Sequence, residues 1–142
     1  MCAGCIDEGA GGVRRVLVVD DEPSVADALR VILEDEGFAV AVAATGREAI
    51  EQASRSAFRL TITDLRLPDM DGLEVISAFR EIGVGGAFIL ISSYGTPEIT
   101  ARALDLGAVG FISKPFRPSD ILQLVAAALE GRGDCDPDAS SG

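Results

Sequence analysis

Histidine is absent from the 142-residue chain, lysine occurs once, as Lys114, and cysteine three times. Without histidine there is no Ser-His or Cys-His nucleophile pair, no imidazole base and little basis for a zinc site. Cys2 and Cys5 form a C-x-x-C and Cys135 stands alone. Three thiols fall short of structural zinc, and a redox C-x-x-C belongs at the start of a helix after a strand rather than in a Gly/Ala-rich stretch. Reduced thiols in terminal tails are expected. No apolar run approaches the ~20 residues of a membrane span, and the first residues lack the apolar segment of a signal peptide; a cytoplasmic location is expected. Basic residues are also few, with 12 Lys and Arg against 23 Asp and Glu and a net charge of −11. Such a charge repels phosphate backbones and anionic lipid, which argues against direct nucleic-acid or membrane binding. The chemistry must rest on carboxylates, hydroxyls, backbone groups and one amine.

What is present suits one folded domain: 48% hydrophobic and 25% charged residues are ordinary for a chain that buries a core. Residues 1–12 (MCAGCIDEGAGG) and 131–142 (GRGDCDPDASSG) lack apolar periodicity and read as flexible tails around a domain at 13–130. Inside it, five short apolar runs rich in Val, Ile and Phe lie at 16–19, 38–42, 60–63, 88–91 and 109–112. They are continuous rather than alternating, as parallel strands buried on both faces read.

Helical patterns separate the runs. Val25, Ala28, Leu29, Ile32 and Leu33 trace one helix face, with Gly37 as its stop. Thr45-x-x-Glu48 and Asp71-x-x-Glu74 fit capping boxes. Thr96 and Pro97 suit an N-cap and first helical residue, Gly107 a stop, and Pro118 opens a last helix with Ile121, Leu122, Val125 and Leu129. The order βαβαβαβαβα predicts an α/β fold: a five-stranded, doubly wound parallel sheet with helices on both faces.

Ligands of such sheets bind beyond the carboxyl ends of the strands. There the sequence places Asp20, Asp21 and Glu22 after the first run, Asp64 after the third, Ser92 and Ser93 after the fourth, and Lys114 after the fifth. Singly, each has a bland reading as a helix-dipole partner, turn residue or surface cation; their convergence on one edge is the signal. Carboxylates ~4 Å apart repel by about 4 kcal/mol at an effective dielectric near 20, so the cluster needs a cation. All-oxygen ligands with open positions suit Mg²⁺, and Lys114 adds a point charge for an anion sharing the site. These are the parts for phosphoryl transfer onto a carboxylate.

Four segments in order, VLVVDDEPSV (16–25), TDLRLPDMDGLEV (63–75), ILISSYG (89–95) and GFISKPF (110–116), resemble the receiver domain of two-component response regulators, and the likeness covers 13–130. The resemblance implies a flavodoxin-like three-layer α/β/α fold with strand order 2-1-3-4-5, in a stand-alone, chemotaxis-regulator-like receiver. It implies that Asp64 accepts a phosphoryl group from a sensor histidine kinase or histidine phosphotransfer protein, and that Asp20, Asp21, Asp64 and the backbone carbonyl of Arg66 hold Mg²⁺. Ser92 then bonds one phosphoryl oxygen, Lys114 pairs with another, and Phe111 repacks as Ser92 moves. The surface that switches is the fourth helix, fifth strand and fifth helix, about 96–130, read by a downstream effector or by a second copy in a phosphorylation-dependent homodimer. Arg66 and Tyr94 flank the pocket, and Lys114–Pro115 is expected to be cis, aiming the lysine inward. Such a chain is no enzyme beyond accepting and losing its own phosphate. Two alternatives are a phosphate-independent pseudo-receiver adaptor, against which the complete residue set speaks, and an aspartyl-phosphate phosphatase, which typically has Asp-x-Asp where this chain has Asp20-Asp21-Glu22.

Overall fold

The structure, a computed structural model, describes residues 15–83, 86–93 and 96–131. Along them run β1 (Arg15–Val19), α1 (Pro23–Glu34), β2 (Ala39–Ala43), α2 (Gly46–Arg55), β3 (Leu60–Asp64), α3 (Gly72–Glu81), β4 (Ala87–Ser92), α4 (Pro97–Asp105), β5 (Ala108–Ser113) and α5 (Pro118–Gly131). The strands form one parallel sheet in the order β2-β1-β3-β4-β5. The two Cys near the start, Cys135 and Tyr94 lie outside the described residues, as do the tail expectations apart from Gly131, which closes α5.

Alternate side chains of each central strand enter two separate cores, because successive residues of a strand face opposite ways. Val16, Val18, Ile62, Ile89, Ile91 and Ile112 pack with Leu29 and Leu33 of α1 and Ile121 and Val125 of α5. Leu17, Val19, Phe88 and Leu90 pack on the other face with Ala49 of α2, Ile76 and Phe79 of α3 and Ala103 of α4. β1, β3 and β4 are buried except for Arg15, as continuous apolar runs require. β2 and β5 are the sheet edges and do not fit that reading: Ala39 is exposed and Val109 is 43% exposed. Phe38, placed by its apolar character in the second strand, precedes it. Its N–H bonds the carbonyl of Leu33, so it closes the C-terminus of α1 and buries its ring there.

Local chemistry sets the helix ends. Asp71 and Glu74 make a reciprocal capping box, 2.8 and 2.9 Å, at the start of α3. Thr45 Oγ1 accepts from the Glu48 N–H at 3.0 Å, but the Glu48 carboxylate accepts from Ala44, one residue before the cap, rather than from Thr45. Thr96 caps α4 by accepting from Ile99 at 3.2 Å. Gly37 (φ +94°) and Gly107 (φ +103°) end α1 and α4 in the left-handed region that favours glycine. On α1 Ala26, Leu29 and Leu33 are buried and Val25 and Ile32 pack against the same core, so the expected face holds except at Ala28, which is exposed while Ala26 turns inward.

Candidate functional site

Strand register assembles the site. Val19 pairs with Thr63, so the following residues, Asp20 and Asp64, emerge side by side at the carboxyl ends of β1 and β3. Asp64 pairs with Ile91, and Ile91 with Ile112, two residues before Lys114. Asp20, Asp64 and Lys114 each follow a residue of the α1/α5 core by two positions, so that side of the sheet ends in charged groups. The Lys114–Pro115 bond is cis.

Lys114 Nζ donates to Asp64 Oδ2 at 3.3 Å and to Asp20 Oδ2 at 3.5 Å, with Glu22 Oε1 at 3.8 Å. Asp20 is almost fully buried, Asp64 nearly so, and Asp21 and Glu22 are exposed. One carboxylate oxygen each from Asp20, Asp21 and Asp64 fall within 4.8 Å of one another, so these three acids are spaced to hold a single ion. Asp20 also accepts from the Glu22 N–H at 2.9 Å, which fixes its carboxylate. Burial holds the Asp20 carboxyl above the usual carboxylate range, the Glu22 N–H works the other way, and the Asp64 charge reinforces the rise. Burial disfavours the charged Lys114, but Asp20 and Asp64 outweigh it and raise its pKa. The result is a cationic lysine beside two carboxylates that repel one another, an arrangement favouring a divalent cation and an incoming anion.

Ser92 is the last residue of β4 and is buried; its carbonyl accepts the Lys114 N–H at 2.9 Å, tying the two strand ends together. Phe111 lies in β5 opposite Leu90, partly buried against the α2/α3 core rather than among the charges. Arg66 is exposed, two residues past Asp64, in the loop to α3. That loop folds tightly on itself: Gly72 N–H to Leu65 carbonyl is 2.7 Å, Leu67 N–H to Met70 carbonyl is 3.2 Å, and Arg66 bridges Asp71. A Cβ on Gly72 would sit 2.8 Å from the Asp64 carbonyl oxygen, so only glycine lets α3 start this close to the acid.

Two contributors escaped the sequence reading. Thr63, fully buried, donates its hydroxyl to the Asp64 carbonyl at 3.0 Å. Asp69, which reads as a turn residue, sends both carboxylate oxygens to the first two N–H groups of α2, Gly46 and Arg47, each at 2.9 Å. No local signal announces the second contact, since its partners are more than 20 positions away.

The family described as the response regulator receiver domain matches residues 16–126. The chain belongs to this family. Among relatives of this receiver domain, an uncharacterized 14.6 kDa protein of Leptolyngbya boryana is 38% identical over 78% of this chain and 86% of its own length. The response regulator protein TodT of Pseudomonas putida is 32% identical over 81% of this chain; the receiver spans 51% of TodT. Among solved structures, a CheY-like receiver domain protein from Methanospirillum hungatei JF-1 superposes with a TM-score of 0.79 at 33% identity, covering 84% of this chain and 95% of that one. The beryllofluoride-activated NtrC4 receiver domain dimer also gives 0.79 at 34% identity, over 84% and 98%. The expected flavodoxin-like fold with strand order 2-1-3-4-5 is the one observed. No helix among the described residues is long and apolar enough to cross a membrane.

Proposed function

We propose that this receiver is a phosphorylation-controlled switch in which Asp64 is the acceptor. A carboxylate oxygen of Asp64 bonds the phosphorus of a phosphohistidine on a sensor histidine kinase or histidine phosphotransfer protein, the P–N bond breaks, and the electron pair leaves with the imidazole. The observation that carries this reading is the position of Asp64, at a strand end within 3.3 Å of the Lys114 amine and inside a cluster of three acids. The all-oxygen donor set of Asp20, Asp21, Asp64 and the Arg66 carbonyl fits Mg²⁺, which when bound neutralises charge on the transferring phosphoryl oxygens.

The chain's own residues do the rest. Asp20, fixed by the Glu22 N–H and Lys114, holds its carboxylate ready without reorganising. Lys114 exchanges part of its contact with Asp64 for a phosphoryl oxygen, and the Ser92 hydroxyl bonds a second one. Phe111, without a hydroxyl, follows by packing alone. The packing change biases the surface of α4, β5 and α5, which a downstream effector protein or a second copy then reads. The dimer in the NtrC4 structure favours the second copy. Phosphate acceptance and loss at Asp64 are the only turnover in this reading, a cytoplasmic one, with no direct contact to nucleic acid or membrane.

The test is Mg²⁺-dependent labelling by acetyl phosphate, with Asp64→Asn as the comparison. Wild type labels and the variant does not; an unlabelled wild type, or equal labelling of both, refutes Asp64 as acceptor.

A further inference from the structure

The β3–α3 loop carries the Arg66 carbonyl, yet its outer end is held by a distant helix rather than by its own strands. Asp69 accepts from the Gly46 and Arg47 N–H groups, both at 2.9 Å, across 23 and 22 positions of sequence. Beside this contact the Met70 side chain fills the notch over Gly46, where any Cβ would overlap its Cγ and Sδ. Helix α2 already has its own cap in Thr45, which serves the Glu48 N–H, so Asp69 satisfies different donors, the first two of the helix. The two bonds and the positive end of the helix hold the Asp69 carboxyl below the usual carboxylate range, although the residue is exposed. Within the loop, the Gly72–Leu65, Leu67–Met70 and Arg66–Asp71 contacts make residues 65–72 one closed unit, so a restraint at Asp69 is transmitted to Arg66.

We propose that Asp69 is a positioning residue for the Mg²⁺ site: by clamping the loop to the N-terminus of α2, it holds the Arg66 carbonyl where the ion needs it. This rests on the reading of Asp20, Asp21, Asp64 and Arg66 as the metal ligands. Linkage makes the clamp reciprocal. If it favours the bound ion, the bound ion tightens the clamp, and the Gly46 and Arg47 amides report on a metal to which neither is a ligand.

The experiment measures Mg²⁺ affinity by titration calorimetry and amide exchange of Gly46 and Arg47 by NMR, with and without Mg²⁺. Asp69→Ala is expected to bind Mg²⁺ about 10-fold more weakly than wild type, the lower end of what loss of an outer-shell contact does. Asp69→Asn, which keeps one acceptor oxygen, falls between. Thr45→Ala, which loosens the same helix end from within, stays within about twofold of wild type. Mg²⁺ slows exchange at Gly46 and Arg47 in wild type and not in Asp69→Ala. Unchanged affinity in Asp69→Ala, equal weakening in Thr45→Ala, or wild-type amides indifferent to Mg²⁺ overturns the clamp alone. A wild type that binds no Mg²⁺ overturns the metal reading and the clamp with it. Should Asp69→Ala fail to fold, Asp69→Asn and the wild-type amides decide.

Discussion

Replacing Lys114 with methionine keeps most of the side-chain volume and removes the one cation that, among the described residues, pairs with Asp20 and Asp64. At 3.3 and 3.5 Å from Asp64 and Asp20, the amine makes two short ion pairs. Each is worth about 5 kcal/mol at an effective dielectric of 20 and about 1 kcal/mol in bulk water. Lys114 and Asp64 keep 15% and 11% of their side-chain surface in contact with solvent and Asp20 only 1%, so screening is partial. The burial of the charges offsets much of the attraction in the wild type, but in the variant the two carboxylates stay buried without their partner. Loss of one member of a buried pair costs about 3–5 kcal/mol, and the solvent reaching this site lowers that to about 2–3. Glu22 is 60% exposed and contributes nothing to the sum. For a domain of this size the melting temperature in EDTA falls by about 8–12 °C. Mg²⁺ repairs the deficit because it restores the missing positive charge, and without a competing amine the variant binds it about 5- to 10-fold more tightly.

The pH dependence has a definite sign. Asp20 titrates higher in the folded protein than in the unfolded chain, so the folded state takes up the proton first. Its contribution to stability therefore grows as pH falls through the folded pKa and is complete below the ordinary aspartate value of 3.8 that holds in the unfolded chain. Losing Lys114 pushes this pKa further up, so the deficit of Lys114→Met shrinks as pH falls. Thermal melts with EDTA or Mg²⁺ across a pH series check all of this. A deficit that is the same with and without Mg²⁺, or below about 0.5 kcal/mol, would refute the electrostatic reasoning.

Two further substitutions probe the frame around the site. Gly72→Ala drives a Cβ against the Asp64 carbonyl and Leu90 Cδ2, 2.8 and 2.7 Å away. Because the carbonyl is backbone and cannot yield cheaply, the expected loss is about 1–3 kcal/mol, with Asp64 labelling about tenfold slower. Urea melts and acetyl phosphate kinetics test it, and an unperturbed labelling rate would contradict the coupling of loop to acid. Phe79→Ala empties a fully buried site where the ring meets Phe88 edge-on at 5.5 Å. It should lower unfolding free energy in urea by about 3–5 kcal/mol, with the labelling pattern retained in the folded fraction.

Residues with a local signature were legible before any coordinates. Val16–Val19 and the apolar run of β4 announce buried strands by composition. Asp71 and Glu74 declare a helix start because both halves of the capping box lie three residues apart. The acids after β1 and β3, Ser92 and Lys114 were legible for a topological reason: a parallel sheet sends all its carboxyl ends to one edge. Where packing decides, the reading slipped. Ala26 rather than Ala28 faces the core of α1, a choice made by the angle at which the helix lies on the sheet. Phe38 is strand-like by type yet serves α1, because its ring finds cover under that helix.

The sequence by itself determined the order of elements, the two-sided burial of the central strands and the set of charged residues at one edge, since these follow from periodicity and chain order. Distances belong to the tertiary structure. Only the register of β1 on β3 and of β4 on β5 puts the Lys114 amine between Asp20 and Asp64, and only the path of the β3–α3 loop carries Asp69 to the N-terminus of α2. Both contacts join residues far apart in the chain, where no local propensity acts, and they form only because the packed sheet and helices bring the partners together.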